Sequence, residues 1–230
     1  MLYAQLGESE STHAILAALA AVVRMHGIPQ TLYSDRASWA TFTAKAGQPV
    51  DRTRRTQVGR ALSHLGVEHI LAYSPQARGR SERVNRTLQD RLVKELASAR
   101  IRTVERANRF LTDSFLPAYN DEFGRPPALP DSGFAPTGAA DLEAIFCHEE
   151  TRIVQRDNTV SLDGVRLQIA KQPGRSTCAG LEVTVRRHLD ATHTISWGRK
   201  ILGRFSAQGR ALSREPLMSQ STAAPPVQAA

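Results

Sequence analysis

The stretch Tyr73-Ser74-Pro75-Gln76-Ala77-Arg78-Gly79-Arg80-Ser81-Glu82-Arg83 decides how this chain is read. It joins a short apolar run, Val67 to Ala72, to a long amphipathic one. From about Ser81 to Ser98 the residues Val84, Leu88, Leu92 and Leu96 recur four apart, which predicts a helix with one buried face. Glu82 then falls in its first turn, and Ser74 to Arg80 reads as a mobile, basic loop. Upstream, Leu32-Tyr33-Ser34-Asp35-Arg36 reads as the end of a short strand, Gln30 to Ser34, that runs straight into Asp35.

The remaining elements follow outward from these two. Leu2 to Leu6 reads as a strand, and Ser11 and Thr12 suit the cap of a helix from about His13 to Met25. Gly27 suits a left-handed stop to that helix. Residues 36–52, with Gly47 and Pro49, read as a loop. Gln57 to Leu65 reads as a helix stopped by Gly66, Val67 to Ala72 as a strand, and Thr103 to Tyr119 as a helix burying Ala107, Phe110, Leu111 and Leu116. Strands alternating with helices predict an α/β layer with some parallel pairing.

Beyond residue 120 the pattern changes. Residues 120–138 hold four of the twelve prolines and read as a linker. Then come short alternating runs: Thr151 to Gln155, Thr159 to Leu162, Val165 to Ile169, Glu182 to His188, His193 to Trp197 and Lys200 to Phe205. Asp163-Gly164 is a hairpin signal. A small all-β module, barrel-like, is expected. The resulting partition is a core at 1–119, a linker at 120–140, a β module at 141–205 and a disordered tail at 206–230, rich in Ala, Ser, Gln and Pro.

Composition narrows the partners. The chain has 230 residues, 41% hydrophobic, with a formal net charge of +8 and a pI near 10.2. That balance favours a polyanion, nucleic acid first. Of the 30 basic residues 26 are Arg and four Lys, a skew that a GC-rich coding sequence also produces. No apolar run approaches the roughly 18 residues of a membrane span. Cys147 and Cys178 have no partners at metal spacing, so a reducing, cytoplasmic setting is expected, with both thiols as small buried hydrophobes. His64 and His69 likewise lack metal spacing and read as packing or surface groups.

Two carboxylates stand where chemistry gathers. Ligands of open α/β sheets collect beyond the carboxyl ends of parallel strands. Asp35 ends one strand, and the strand Val67 to Ala72 leads towards Glu82 at the same edge. Such a pair suits hard divalent cations, Mg²⁺ or Mn²⁺. Two ions roughly 3.5–4 Å apart can activate an attacking hydroxyl and stabilise a leaving oxygen on phosphorus. Taken singly, Asp35 reads as a turn or cap residue and Glu82 as a helix N-terminal acid.

Together with their flanks the two resemble a family. Tyr33-Ser34-Asp35-Arg36 resembles the second-aspartate motif, and Tyr73 to Arg83 the third motif, of DDE-type insertion-sequence transposases and retroviral-type integrases. Leu88-Gln89-Asp90-Arg91-Leu92 also fits. The resemblance is closest to the ISNCY type and runs from residue 3 to about 205. Where the family has a glycine and then an aromatic after its aspartate, this chain has Ala37 and Ala40, with Trp39 and Phe42 nearby. The loop from Lys45 to Arg55 lengthens the interval between Asp35 and Glu82.

The resemblance implies an RNase H-like core followed by the β module, and a transposase that cleaves DNA and transfers the freed 3′ end. It implies Asp35 and Glu82 as metal ligands for two Mg²⁺ or Mn²⁺ ions, DNA as partner and a homo-oligomer on DNA. It also implies that Leu2 to Leu6 corresponds to the family's third strand. The first two strands, and the first catalytic aspartate, would then lie upstream of Met1, because Asp51 sits in a loop and cannot replace it. The core would be incomplete and inactive alone.

Arg78, Arg80, Arg83, Asn85 and Arg86, on or just before the long helix, are the residues that would line DNA. Arg91 and Lys94 continue the basic run, which alternatively is a solvated helix face. Arg186, Arg187, Arg199, Lys200 and Arg204 in the β module either track phosphates or form a soluble surface. The alternatives to an enzyme are a DNA-binding remnant of a decayed transposase, or an unrelated basic α/β protein.

Overall fold

The computed structural model describes residues 1–42, 54–72, 75–126 and 131–212, with backbone alone at residues 75–78, 80 and 81. Expectations for residues 43–53, which include Lys45 and Asp51, and for 213–230 of the tail lie outside the described residues. The chain divides into two compact units. The first is Met1–Glu150 with Arg186–Ala191, and the second is Thr151–Val185 with Thr192–Ala230.

In the first unit, α1 (Thr12–His26) starts where Ser11 Oγ accepts the N–H of Ala14 at 3.2 Å. It ends at Gly27, whose φ of 95° suits glycine. A Cβ there would meet the carbonyl oxygen of Ala135 at 2.4 Å, because β1 (Ile28–Pro29) pairs antiparallel with β4 (Phe134–Ala135) directly beyond it. Next, β2 (Thr31–Ser34) pairs in parallel with β3 (Glu68–Leu71), in register from Thr31 opposite Glu68 to Ser34 opposite Leu71. Between them runs α2 (Gln57–His64), capped by Thr56 and burying Val58, Ala61 and Leu62. Those residues, with Leu16, Ala20, Val23, Val67 and Phe146, form one core, on which Leu32 and Trp39 also pack.

A polar clasp fixes α2 to the chain beyond the short helix α6 (Leu142–Ile145). Arg60 Nη2 donates to the carbonyls of Ile145 at 2.9 Å and Cys147 at 2.5 Å. Gln57 bonds the backbone of Glu149 in both directions, at 2.7 and 3.0 Å. The Cys147 thiol is fully buried, and that burial pushes its pKa up, with the nearby Arg60 pulling the other way.

The long helix is α3 (Pro75–Ser98). It begins six residues earlier than Ser81, so the stretch expected as a loop is helical from Pro75. Proline suits the first helical position, having no N–H to leave unpaired there. Glu82 is therefore two turns into α3 and not in its first turn. Its buried face carries Leu88, Leu92 and Leu96 against α4 (Val104–Phe110), the π-turn Leu111–Phe115 and α5 (Leu116–Phe123). The ladder widens to the π pattern just before Pro117, which offers the preceding turn no N–H. Asn120, Asp121 and Glu122, expected within the linker, are helical, since α5 continues to Phe123.

Leu2 to Leu6 is not a strand. Its apolar positions Ala4 and Leu6 pack on Leu92, Leu111 and Phe115, and two side-chain amides take the place of a neighbouring strand. The Leu6 N–H donates to Asn108 Oδ1 at 2.7 Å, and Asn108 Nδ2 donates to the Leu6 carbonyl at 3.0 Å. Asn120 repeats this at Met1, taking the amino group on Oδ1 and donating to the carbonyl at 2.9 Å.

The second unit is β-rich. β5 (His148–Ile153) and β8 (Glu182–Arg187), whose residues 148–150 and 186–187 belong to the first unit, form a sheet with β9 (His193–Trp197) and β10 (Lys200–Phe205) in the order β10-β9-β8-β5, and β6 (Thr159–Leu162) pairs antiparallel with β7 (Val165–Gln168). Asp163 and Gly164 join β6 to β7 with φ of 48° and 79°, the doubly left-handed turn that matches strand twist. Val160, Leu162, Leu167, Val183, Val185, Ile195, Leu202 and Phe205 are all buried in one core. The register of β9 with β10 slips between Ile201 and Gly203. At Gly203 a Cβ would meet the Phe205 ring at 2.7 Å, so the missing side chain makes room for that ring.

Two outcomes test this packing. Asn108→Ala removes both bonds to Leu6, so thermal or urea unfolding should show a loss of about 1–3 kcal/mol; an unchanged midpoint would mean the amide pair contributes nothing. Cys147 and Cys178 are both buried, so neither thiol should react with a colorimetric disulfide reagent until the chain unfolds.

Candidate active site

The carboxyl end of the parallel pair is where the candidate residues meet the fold. The Ala72 N–H donates to the Ser34 carbonyl at 2.8 Å, extending the ladder one residue past Leu71. Asp35 leaves β2 at that edge, half-buried, and its Oδ1 accepts the N–H of Ala37 at 3.2 Å. Its carboxylate thus caps the turn Ala37 to Thr41, in which Ala40 and Thr41 both donate to the Ala37 carbonyl.

Beside Asp35, Ser34 Oγ donates to the Asp35 carbonyl at 2.8 Å and lies 2.8 Å from His69 Nε2. A hydroxyl has one proton, so the histidine is the donor and carries its proton on Nε2. The His69 ring stacks on Trp39 at 6.2 Å, and Trp39 Nε1 donates to Glu10 at 2.7 Å. Desolvation by burial holds the His69 pKa below the usual histidine value. Sequence reasoning left His69 as a packing or surface residue. In the structure it orients the strand end that carries Asp35, and only its position opposite Leu32 in the ladder reveals this.

From Ala72 the chain enters α3 over two intervening residues, so Pro75 lies within about 11 Å of Ala72. Glu82 is seven residues on, roughly 10 Å along the helix axis. It is exposed, as are Arg83, Asn85 and Arg86, and Arg83 is opposite the Leu88–Leu92–Leu96 face. Arg83 Nε donates to the Gly79 carbonyl at 3.1 Å. The side chains of Arg78 and Arg80 lie outside the described residues.

The rest of the expected basic face is neutralised. Arg91 pairs with Glu122 at 2.6 Å and Glu95 at 3.3 Å, and Lys94 with Asp90 at 2.5 Å. In the β module Arg186 pairs with Glu149 at 2.8 Å, which takes it out of any row of free phosphate contacts. Among the described residues no group of three His, Cys, Asp or Glu side chains could hold a metal ion. Asp35 and Glu82 have the hard-oxygen chemistry of Mg²⁺ ligands, but they do not make a metal centre by themselves. No helix among the described residues is long and apolar enough to cross a membrane.

The histidine gives a pH test. A folded-state pKa below the unfolded value near 6.5 means the unfolded chain binds the proton first. The contribution of His69 to stability is full above about pH 6.5 and is lost as pH falls through its folded pKa. His69→Gln should therefore flatten the decline in melting temperature between about pH 6.5 and 5; an unchanged slope would show that the ring does not titrate against folding.

No protein-family profile matches the chain. It is 35% identical over 194 residues to transposase y4bF of Sinorhizobium fredii, covering 82% of this chain and 41% of that protein. It is 36% identical over 124 residues to the transposase for insertion sequence IS1202 of Streptococcus pneumoniae, covering 54% of this chain and 26% of that protein. The chain spans less than half the length of these curated relatives, and over that span it is similar to proteins named as transposases.

Proposed function

We propose that this chain is part of a DDE-type transposase, the portion that carries the second and third acidic residues of an RNase H-like catalytic core together with a DNA-binding β module. One observation carries the reading. Asp35 closes a strand whose parallel neighbour feeds, after three intervening residues, the helix that bears Glu82. The curated transposases that share this sequence supply the reaction class, DNA transposition.

In this reading Asp35 and Glu82 are two ligands of a divalent-cation site that needs a further carboxylate to hold two ions. Bound Mg²⁺ would supply Lewis-acid activation for phosphodiester cleavage and strand transfer. The chain's own part is to fix the position of Asp35 through the β2–β3 ladder and the Ser34–His69 bond. It also presents Glu82 beside Arg83, Asn85 and Arg86 on an exposed face suited to DNA phosphates. Among the described residues no third carboxylate joins Asp35 and Glu82 in a metal-binding group, and on this reading the chain alone binds DNA and does not cut it. Residues 1–230 then act as a non-catalytic DNA-binding piece of the larger enzyme.

The test uses the full chain, labelled duplex DNA and Mn²⁺. Binding should be sequence-independent and weaken steeply with salt, while no 3′-end cleavage accumulates. Absence of binding at low salt would remove the DNA reading. Cleavage that Glu82→Gln abolishes would overturn the claim that the chain is inactive alone. In any form of the protein that does cleave, Asp35→Asn or Glu82→Gln should lower the rate by at least about a hundredfold.

A further inference from the structure

We propose that Arg152, Arg156 and Arg166 form a phosphodiester-binding surface on the second unit, gripping the backbone of a nucleic-acid strand. The proposal rests on the DNA reading above and assigns it a location. The three guanidinium groups line one open concavity of about 600 Å³, together with Ile153, Thr159 and Ser161.

Their spacing is set by the strands. Ser161 on β6 faces Arg166 on β7 directly in register. Arg152 on β5 reaches the same point, its Nε donating to the Ser161 carbonyl at 3.4 Å. Arg156 sits at the turn from β5 to β6, which Gln155 N–H closes on the Thr159 carbonyl at 2.9 Å. The cations thus come from two strands and one turn. Adjacent strands lie about 5 Å apart.

The floor beneath them is rigid. Val160, Leu162 and Leu167 alternate with Ser161 and Arg166 and are buried in the core. The ladder extends beyond the strands through Ile169 N–H to the Asn158 carbonyl at 2.9 Å. Arginines on such a floor lose little freedom on binding, and their planar forks match phosphate oxygens.

The one acid lining the concavity is Asp157, whose carboxyl is held below the usual aspartate value first by the Thr159 hydroxyl and, less, by the charge of Arg166. Asp157 Oδ1 accepts the Thr159 hydroxyl at 2.7 Å and the Thr159 N–H at 3.1 Å. Among the described residues neither Arg156 nor Arg166 is in an ion pair. An open surface with three separated guanidiniums fits an extended polyanion better than one enclosed small anion.

The experiment measures anisotropy of a labelled duplex of about 30 base pairs, with the full chain, at about 50 and 200 mM NaCl. The triple variant R152A/R156A/R166A is compared with R199A/K200A/R204A, which removes equal charge from β10 and the turn before it. The first should weaken binding about tenfold or more and make the salt slope shallower by about 2–3. The second should cost about threefold or less.

R152K/R156K/R166K keeps the charge and guards against misfolding, and it should recover most of the affinity. Inorganic phosphate at matched ionic strength should not compete. Equal losses in the two alanine variants, or no loss in the first, would overturn the site while leaving DNA binding intact. Competition by free phosphate would make it a small-anion site instead. A wild-type chain that binds no DNA at low salt would sink both readings.

Discussion

Two parallel strands must send both their ends the same way, and that constraint organises the first unit. Four register pairs from Thr31–Glu68 to Ser34–Leu71 bring the chain after Ser34 and the chain after Leu71 to one edge. A parallel pair needs a crossover, and α2 supplies it. The helix is held by apolar contact on one side and by Arg60 and Gln57 on the other, which bond the backbone at residues 145, 147 and 149. Loosening that clasp would free the crossover, and with it the register that sets Asp35 beside the path into α3.

The parts of this arrangement that depend on local pattern were legible in the sequence. The strand into Asp35, the caps at Ser11 and Gly27, the hairpin at Asp163-Gly164 and the four-residue apolar repeat of α3 follow from periodicity and turn chemistry. The start of α3 did not, although Pro75 carried the signal: proline opens helices. Gly79 and the clustered arginines suggested a loop, but a single glycine costs a helix only about 1 kcal/mol, which the remaining turns offset. Residues that act across long separations were not legible. His69 acts through a ladder partner, and Asn108 and Asn120 act on backbone more than a hundred residues away.

Those asparagines explain why Leu2 to Leu6 looked like a strand. Leu2, Ala4 and Leu6 alternate as in a strand, but only Ala4 and Leu6 pack on the core and Leu2 is exposed. The alternation reports the conformation's period and says nothing of what supplies the hydrogen bonds. Here a side-chain amide offers the same donor and acceptor as a peptide group. Asn108 therefore satisfies Leu6 from a helix, and an extended segment lies along helices without joining a sheet.

Charge shows the same division between local and distant information. A formal +8 suggests a broadly basic molecule, yet many cations are spent within it. Glu95 and Asp90 stand four residues from Arg91 and Lys94, and Glu105 stands four from Arg109, so those pairs could be anticipated from spacing alone. Glu122 and Glu149 reach Arg91 and Arg186 only through the fold. Exposed pairs of this kind contribute little to stability, about 0–1 kcal/mol each. Their larger effect is to remove positive potential from the far part of α3 and from β8. Among the described residues, cations outside these pairs include Arg83 and Arg86 on α3 and Arg156, Arg166, Arg199, Lys200 and Arg204 in the second unit. A polyanion responds to local potential and not to the net total, because the field of a surface charge fades over about 10 Å in ordinary salt. On the proposed reading, the internal ion pairs therefore set where a polyanion such as DNA would be held as much as the unpaired arginines do.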